Sequence, residues 1–394
     1  MSHIRSQAAS IRPVNRGDNL SPSLEMIEAA FVVPQSQYMH PEKIVSTRRL
    51  YDGGVYYPDG SVCEEARHIS TSTENVPGEV ILEPKEVLEG NYLYGGVMRG
   101  HFGHFLVESI GRLWALEKVD VPIDGILYQP LHHSFRGKEH PNLRYHLKSY
   151  IRDFLRIVRA DLPIHFPTKI TQVSNLYVPG QLIMNSPTEG IGGHPVLHSF
   201  LKKRIDEYFG NSVNPHRSIY LSRRRIPLIR NVYLQEDRLE DNLRRNGYEI
   251  IFPEKLSIEA QLRLYREADR ILIAEGSSAH LVALTAHDRQ KIGIVSRSRR
   301  PKHPNKLEIQ MRGFGCPSSY TFDAITGMYR TNELYPELNL PHTIISTLDF
   351  EKLRDFLANA GFIDPDKWVS PTPEDLDEAK RDARMILREE AMYP

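Results

Sequence analysis

Residues 270–285 read RILIAEGSSAHLVALT, an apolar run of strand length that enters a Gly-Ser-Ser turn and continues as an apolar helical stretch. A strand followed by a tight turn and a helix is the repeating unit of parallel α/β sheets. Three further apolar runs surround it, at 217–223 (RSIYLSR), 248–252 (YEIIF) and 291–296 (KIGIVS). Because helical patterns separate these runs, we predict an α/β fold with a parallel, doubly wound sheet and right-handed connections.

The two helices that precede this stretch carry clear end signals. EDRLEDNLRRN (236–246) has acids in its first turn, arginines in its last turn and Gly247 after its end, as the helix dipole and a C-cap favour. Ser257 precedes IEAQLRLYREA (258–268), and we predict that its hydroxyl caps that helix. These signals indicate a regular alternation of strands and helices in this half of the chain.

The length of the chain favours two lobes, because 394 residues exceed one ordinary domain. We predict a polar arm, an N-terminal lobe, a C-terminal lobe and a final helix. Their bounds are 1–22, 23–211, 212–365 and 366–394, respectively. The lobe boundary is placed at the turn-rich NSVNPH, residues 211–216.

Composition and charge narrow the function classes. Lys+Arg and Asp+Glu both total 50, and this balance disfavours a general nucleic-acid binder. Cys63 and Cys316 alone cannot build a disulfide framework or a cysteine zinc motif. The N-terminus lacks a signal-peptide apolar run, and no run reaches the roughly 18 apolar residues of a membrane span. We expect a cytoplasmic chain; the basic SRSRRPKH (296–303), predicted to be an exposed loop, leaves peripheral membrane association open.

Two elements at the carboxyl edge of the predicted sheet suit a diphosphate. One is a turn whose following helix offers free N–H groups, formed by Glu275, Gly276, Ser277 and Ser278. The other is a basic loop whose guanidinium groups can form paired bonds to phosphate oxygens, and its residues are Ser222, Arg223, Arg225 and Arg230. A helix cap without a ligand and a solvated basic loop are the alternatives for these two elements.

A predicted helix at 104–117 carries a third candidate. His104, Glu108 and Arg112 follow at four-residue intervals and therefore share one face, with His101 close to it. A His–Glu pair in a cleft can act as a general base, whereas on a solvated face it is only a salt bridge. His101, His104 and Glu108 could also bind a metal in a metal-dependent hydrolase, although the HExxH pattern is absent.

One of these segments resembles the signature of the family 61 glycosyltransferases. Bacterial members carry N-Y-x-H-W-x-x-[DE]-x-x-x-R-L, and residues 100–114 here read GHFGHFLVESIGRLW. The two strings agree at His104, Glu108, Arg112 and Leu113. The start differs, because Gly-His-Phe-Gly replaces the Asn-Tyr of the family.

The second half of the chain is similar to the same family. YLSRRR (220–225) matches Y-[IL]-S-R, and ADRILIAEGSSAHLVAL (268–284) is similar to A-D-x-[IV]-[IV]-x-x-x-G-A-G-L-x-N, with Ser-Ser in place of Ala-Gly. RNVYLQED (230–237) departs from R-x-[VI]-x-N-E, because Gln235-Glu236 stands where the family has Asn-Glu. The resemblance covers about residues 90–290.

The resemblance implies a fold, a reaction and a substrate class. The fold is GT-B, two Rossmann-like lobes facing a cleft, with a C-terminal helix that often crosses back over the first lobe. The reaction is inverting transfer of a sugar from a nucleotide-sugar donor on the C-terminal lobe (212–365) to an acceptor on the N-terminal lobe (23–211). Because the arginines and the helix N-terminus can stabilise the departing diphosphate, we expect no metal or other cofactor. Members include bacterial capsular and exopolysaccharide biosynthesis proteins, plant xylosyltransferases and eukaryotic enzymes that add N-acetylglucosamine to proteins. We therefore expect an oligo- or polysaccharide acceptor in surface polysaccharide biosynthesis.

The resemblance also implies roles for the candidate residues. Glu108 is the base with His104 as its partner, or His104 is the base itself. The donor-binding residues are Ser222, Arg223, Arg225, Arg230, Glu275, Gly276, Ser277 and Ser278. The acceptor-side residues are His101 and Arg112. The metal-dependent hydrolase and a non-catalytic nucleotide-sugar-binding module are the alternatives.

Overall fold

The protein is a mixed α/β structure, known from a computed structural model. The described residues are 22–35, 37–38, 49–70, 73–130, 147–183, 191–210, 216–227, 232–298, 306–330 and 344–392. The predicted arm, except for its last residue, most of the predicted lobe boundary and Arg230 lie outside these ranges.

The first part of the chain is built mainly from strands. Their bounds are β1 (Leu24–Val33), β2 (Gln37–Tyr38), β3 (Arg49–Tyr51), β4 (Gly54–Tyr56), β5 (Thr73–Asn75), β6 (Glu86–Met98), β7 (Gly125–Pro130), β8 (Ile164–His165) and β9 (Thr171–Pro179). A six-stranded sheet has the order β4-β1-β9-β6-β7-β8, and a smaller sheet has the order β2-β3-β5.

The six-stranded sheet is mixed, whereas the sequence predicted a Rossmann-like sheet in this lobe. β1 runs antiparallel to β4 and β9, while β9, β6, β7 and β8 are mutually parallel. In β1, Met26 is 50 % exposed and the next residue, Ile27, is buried. A strand with one wet face suits an antiparallel pairing, because parallel sheets are usually covered on both faces.

The helices of this part correct the one helix that the sequence analysis predicted here. The described α-helical segments are α1 (Phe102–His104), α2 (Ser149–Ile157) and α3 (Pro195–Phe209). The predicted single helix at 104–117 is wrong: after α1 the chain forms a π-helical turn at Phe105–Ser109 and a 3₁₀ turn at Leu113–Glu117.

Side chains from β7 and from the segment after β9 explain why that helix ends early. The carbonyl of Glu108 accepts a bond from Gln181 Nε2 at 3.2 Å, and the carbonyl of Ser109 accepts one from the Tyr128 hydroxyl at 3.0 Å. In a continuing α-helix these carbonyls would accept from the amides four residues later. The competition is a tertiary effect, and so the helical spacing of the sequence could not reveal it.

The second part of the chain contains the predicted parallel sheet. Its strands are β10 (Arg217–Leu221), β11 (Val232–Tyr233), β12 (Glu249–Ile251), β13 (Ala268–Ala274), β14 (Lys291–Val295), β15 (Ser319–Phe322), β16 (Ile325–Arg330) and β17 (Ile344–Leu348). The parallel order β12-β10-β13-β14-β15 confirms the predicted parallel sheet and adds β15 to it. β11, β17 and β16 form a separate three-stranded sheet.

The helices of this part are α4 (Glu236–Arg245), α5 (Ile258–Glu267), α6 (Ser278–Thr285), α7 (Lys306–Gly313), α8 (Phe350–Asn359) and α9 (Pro373–Met392). The Ser257 hydroxyl accepts a bond from the amide of Ala260 at 3.1 Å, so the predicted cap of α5 is confirmed. Gly247 after α4 has φ +81°, a conformation that favours glycine.

The order of the parallel sheet positions a ligand crevice. The first strand of this sheet in the chain, β10, lies between the second, β12, and the third, β13. The connections that follow β10 and β13 therefore lie on opposite faces of the sheet. The place between two such strands is called the topological switch point, and open parallel sheets bind their ligands there. The loop after β10 and the turn after β13 meet at this edge of the sheet, because a methyl group on Gly276 would lie 2.5 Å from Arg223 Nη1.

One hydrophobic core joins the two large sheets. It includes Phe105 and Phe154 from the first part of the chain, together with Ile271 and Leu281 from the second. At the far end, α9 is attached to α4 by an ion pair of 2.7 Å between Asp375 and Arg238. Among the described residues, no helix combines the length and apolar character needed to cross a membrane.

Candidate active site

An open cleft of about 180 Å³ lies where the first part of the chain meets the turn after β13. His101, Gly103 and His104 form one wall, and Glu275–Ser277 with His280 form the other. The walls touch at one point, because a methyl group on Gly103 would lie 2.7 Å from Ser277 Oγ. Two motifs that are far apart in the sequence therefore face the same space.

His104 is the residue of the predicted His–Glu pair that reaches this cleft. Its side chain is 31 % exposed, whereas that of Glu108 is completely buried behind it. The distance from His104 Nδ1 to Glu108 Oε1 is 2.6 Å, so Nδ1 donates a hydrogen bond to the carboxylate. The other ring nitrogen, Nε2, is then left as the group that can accept a proton.

Two further basic side chains hold the Glu108 carboxylate. Arg99 Nε lies 3.2 Å and His68 Nε2 lies 3.5 Å from Glu108 Oε2, and both side chains are almost fully buried. Burial alone would raise the pKa of Glu108, but bonds from His104 and His68 and the charge of Arg99 outweigh it and hold that pKa well below its ordinary value. Glu108 is therefore a permanent anion that orients His104.

The sequence did not single out His68 or Arg99. His68 lies in a short extended segment before β5, where its Nε2 also lies 3.1 Å from Thr73 Oγ1. Arg99 directly follows β6, and its amide donates to the Ser109 hydroxyl at 2.9 Å. Neither position has a spacing relation to Glu108, and only the sheet brings them together. The nearest sequence signal is that Arg99 immediately precedes the glycine-rich entrance to α1.

The predicted anion turn has one arginine beside it. A methyl group on Gly276 would lie 2.5 Å from Arg223 Nη1, so glycine allows this guanidinium to reach the turn. Ser277 directly precedes α6, and its side chain makes no capping bond. The amides of Ala279 and His280 bond to the carbonyls of Gly276 and Ser277. The start of α6 therefore combines a helix dipole with a guanidinium group.

The cleft contains additional cations and a fixed carboxylate. Arg297 and Lys306 line it, and Arg297 belongs to the basic stretch that the sequence predicted to be an exposed loop. Glu275 also lines the cleft, where its Oε2 accepts a bond of 2.8 Å from the amide of Arg297 and one of 3.3 Å from that of Ser298. Glu275 thereby fixes the loop after β14 beside the turn after β13.

Ser222 supports the loop after β10 and does not line the cleft. Its buried hydroxyl donates to Glu240 at 2.7 Å, and Glu236 Oε1 lies 3.2 Å away. The same Glu236 oxygen accepts bonds from the Arg223 amide at 2.8 Å and the Tyr220 hydroxyl at 2.9 Å. Glu236, which stands at the family's Asn-Glu position, therefore shapes the loop that carries Arg223.

Replacing Glu236 tests whether its buried carboxyl group holds this loop, because the group should make the stability of the fold depend on pH. Burial and the charge of the neighbouring Glu240 raise the pKa of Glu236 to about 7, although the bonds from Arg223, Tyr220 and Ser222 oppose this shift. The folded state then binds a proton at Glu236 more tightly than the unfolded state does. As the pH rises from about 4.5 to 7, the free energy of unfolding of the native protein should therefore decrease, and Glu236 should account for roughly 3 kcal/mol of that decrease. Urea unfolding of native protein and Glu236→Gln across this range measures the slope, which the variant should lack. Equal slopes would contradict the prediction.

Like Ser222, two predicted site residues, Arg225 and Arg112, do not line the cleft. Arg225 stacks on the Phe252 ring at 4.1 Å, beside the edge strand β12. Arg112 is buried, donates to the carbonyls of Pro179 and Glu65, and lies over the Tyr94 ring at 5.4 Å. These contacts give Arg112 a structural place in the first part of the chain. Arg230 lies outside the described residues.

The hydrolase alternative required a metal held by His101, His104 and Glu108. Among the described residues, no three His, Cys, Asp or Glu side chains are placed to share an ion. In this trio, Glu108 Oε1 is instead bonded to His104 Nδ1 at 2.6 Å, behind the wall of the cleft. The arrangement therefore favours a hydrogen-bonded acid–base pair over a ligand set.

Comparison with known protein families identifies the class. The model of the family described as Glycosyltransferase 61 matches residues 102–292, just under half of the chain, from α1 into β14. The match supports glycosyltransferase family 61, as the motifs around His104 and Gly276 suggested. The family supports glycosyltransferase activity, with a sugar donor and an acceptor as substrates. A search of curated proteins found no relative that matches this chain.

Proposed function

We propose that this protein is an inverting, metal-independent glycosyltransferase that moves a sugar from a nucleotide-sugar donor to a hydroxyl of a glycan acceptor. The observation that carries the proposal is the cleft itself, where His104 faces the turn after β13 and its neighbouring cations. An inverting transfer needs a base on the acceptor side and positive charge on the leaving-group side. One wall of this cleft carries the base, and the other carries the positive charge.

In the proposed reaction, His104 Nε2 removes the proton of the acceptor hydroxyl as its oxygen attacks the anomeric carbon. The buried anion of Glu108, held by His68 and Arg99, stabilises the imidazolium that forms. The bond from the anomeric carbon to the diphosphate breaks on the opposite side. Arg223, the start of α6 and the cations of the cleft stabilise the negative charge on the departing nucleoside diphosphate.

The proposal includes a GT-B arrangement of two lobes. The parallel order of the second sheet, with its switch point between β10 and β13, supports a nucleotide-sugar site on the C-terminal side. The position of His104 on the opposite wall supports an acceptor site on the N-terminal side. A glycan acceptor in surface polysaccharide biosynthesis is proposed from the resemblance to bacterial family members, and so is a final helix that crosses back over the first lobe.

A binding experiment tests the donor site. In a thermal-shift panel of nucleoside diphosphates and nucleotide sugars, we expect at least one nucleotide series to stabilise the native protein by mass action. No stabilisation by any nucleotide would contradict the proposed function.

Neighbouring arginines provide a matched pair for the same site. Arg223→Gln removes the guanidinium beside Gly276 and should weaken nucleoside diphosphate binding by about 10- to 100-fold, as the loss of a charged hydrogen bond to a phosphate predicts. Arg225→Gln removes a guanidinium that stacks on Phe252 and should change the affinity less than twofold. Calorimetric dissociation constants compare the two, and equal losses would show that the loop binds only through its net charge.

A further inference from the structure

The imidazole ring of His280 lines the cleft and differs in chemistry from the arginine and lysine side chains around it. It lies in the first turn of α6, and its Cδ2 atom would be 3.3 Å from a methyl group on Gly103 across the cleft. Its near neighbours His101, His104 and Lys306 are basic and line the same space. The function proposed above leaves His280 without a role.

A buried glutamine sets the tautomer of this histidine. His280 Nδ1 lies 2.7 Å from Oε1 of Gln310, a fully buried residue of α7. An amide oxygen only accepts hydrogen bonds, so Nδ1 carries the proton and Nε2 keeps a lone pair. Nε2 is bonded to Cδ2, the ring atom closest to Gly103, and is therefore on the cleft side of the ring.

The ring is also neutral. Burial, together with the nearby charges of Lys306, His104 and His101, lowers the pKa of His280 to about 4. A neutral nitrogen with a lone pair repels phosphate oxygens but accepts a hydrogen bond from a hydroxyl. His280 thus differs from Arg223, Arg297 and Lys306, which suit the diphosphate.

The geometry of the transfer indicates which hydroxyl it meets. The sugar must lie between the leaving diphosphate at the start of α6 and the base His104, and His280 borders this gap. We propose that His280 Nε2 accepts a hydrogen bond from a hydroxyl of the donor sugar and so helps determine which sugar is used. Gln310 is the positioning residue that keeps Nε2 unprotonated. This inference rests on the proposed function.

Replacing His280 by leucine separates sugar binding from diphosphate binding. The native protein is first titrated with uridine, guanosine, cytidine and thymidine diphosphates and their sugar conjugates, to find the conjugate that it prefers. For that conjugate, His280→Leu should raise the dissociation constant by about 10-fold, the effect of an unmade hydrogen bond to a buried hydroxyl. The free nucleoside diphosphate should bind within twofold of native.

Two controls distinguish a sugar contact from a structural role. His280→Gln places an amide oxygen near the position of Nε2 and should recover most of the lost affinity for the conjugate. Arg223→Gln should weaken both ligands equally, because it acts on the diphosphate that they share.

The outcomes separate this inference from the function on which it rests. If the native protein binds no nucleotide ligand, the proposed function fails, and the inference fails with it. If the native protein binds a conjugate but His280→Leu leaves it unchanged, or weakens the free diphosphate equally, only the role of His280 is overturned.

Discussion

His104→Ala should lower kcat by about 10²- to 10⁴-fold, the range typical for loss of a general base, while donor affinity changes little. His104 is the cleft residue bonded to the buried Glu108 carboxylate, at 2.6 Å. Without the imidazole, the acceptor hydroxyl must lose its proton to water. Steady-state kinetics with the preferred donor, together with calorimetric donor binding, measure the two effects separately. Unchanged turnover would refute the assignment of the base.

His101→Ala is the matched control for that variant. His101 lines the same cleft, with its ring centroid 5.3 Å from that of His104, but the Glu108 oxygen is bonded to His104. We expect kcat to fall less than 10-fold. Glu108→Gln keeps an acceptor for Nδ1 but removes the charge, and kcat should fall by an amount between these two variants. Donor binding with no transfer in native protein would instead favour the binding module.

Arg112→Met should reduce the free energy of unfolding by about 3 kcal/mol, because it leaves the buried carbonyl of Pro179 and the part-buried carbonyl of Glu65 without this donor and removes the buried ring contact with Tyr94. The guanidinium donates to Pro179 at the end of β9 and to Glu65 in the 3₁₀ turn before β5, so it ties two segments to the irregular helix. Burial lowers the pKa of Arg112, but it remains charged at neutral pH. Urea unfolding measures the loss.

Arg225→Met provides the comparison for Arg112→Met. Arg225 is an exposed arginine that stacks on Phe252, and its replacement should change stability by less than about 1 kcal/mol. If Arg112→Met keeps native stability but raises the acceptor KM, the predicted acceptor-side role is correct and the structural role is wrong.

The local signals of the chain predicted much of the second sheet. Apolar runs with intervening helical patterns gave β10, β12, β13 and β14 in parallel order, and Ser257 was identified as a cap. Each of these features depends on residues close together in the sequence. Strand β15 was not predicted, because the sequence that follows α7 has no apolar run as strong as those of the other strands.

In the candidate site, too, the sequence predicted contacts between residues that are close in the chain and failed where distant residues intervene. The four-residue spacing of His104 and Glu108 predicted their contact, because side chains four residues apart lie on the same face of a single helical turn. The same spacing placed Arg112 with them, but bonds from Gln181 and Tyr128 end the helix and turn Arg112 into the interior.

By itself the sequence determined the strand–turn–helix units, the His104–Glu108 pair and the glycine turn at Gly276, because propensity, capping and helical spacing act over a few residues. The tertiary structure decided which of these groups share a space. It placed Glu108 behind His104 with Arg99 and His68, and it set His280 beside Gly103, through sheet pairings between distant segments. Such pairings depend on the packing of the whole core, which no local pattern encodes.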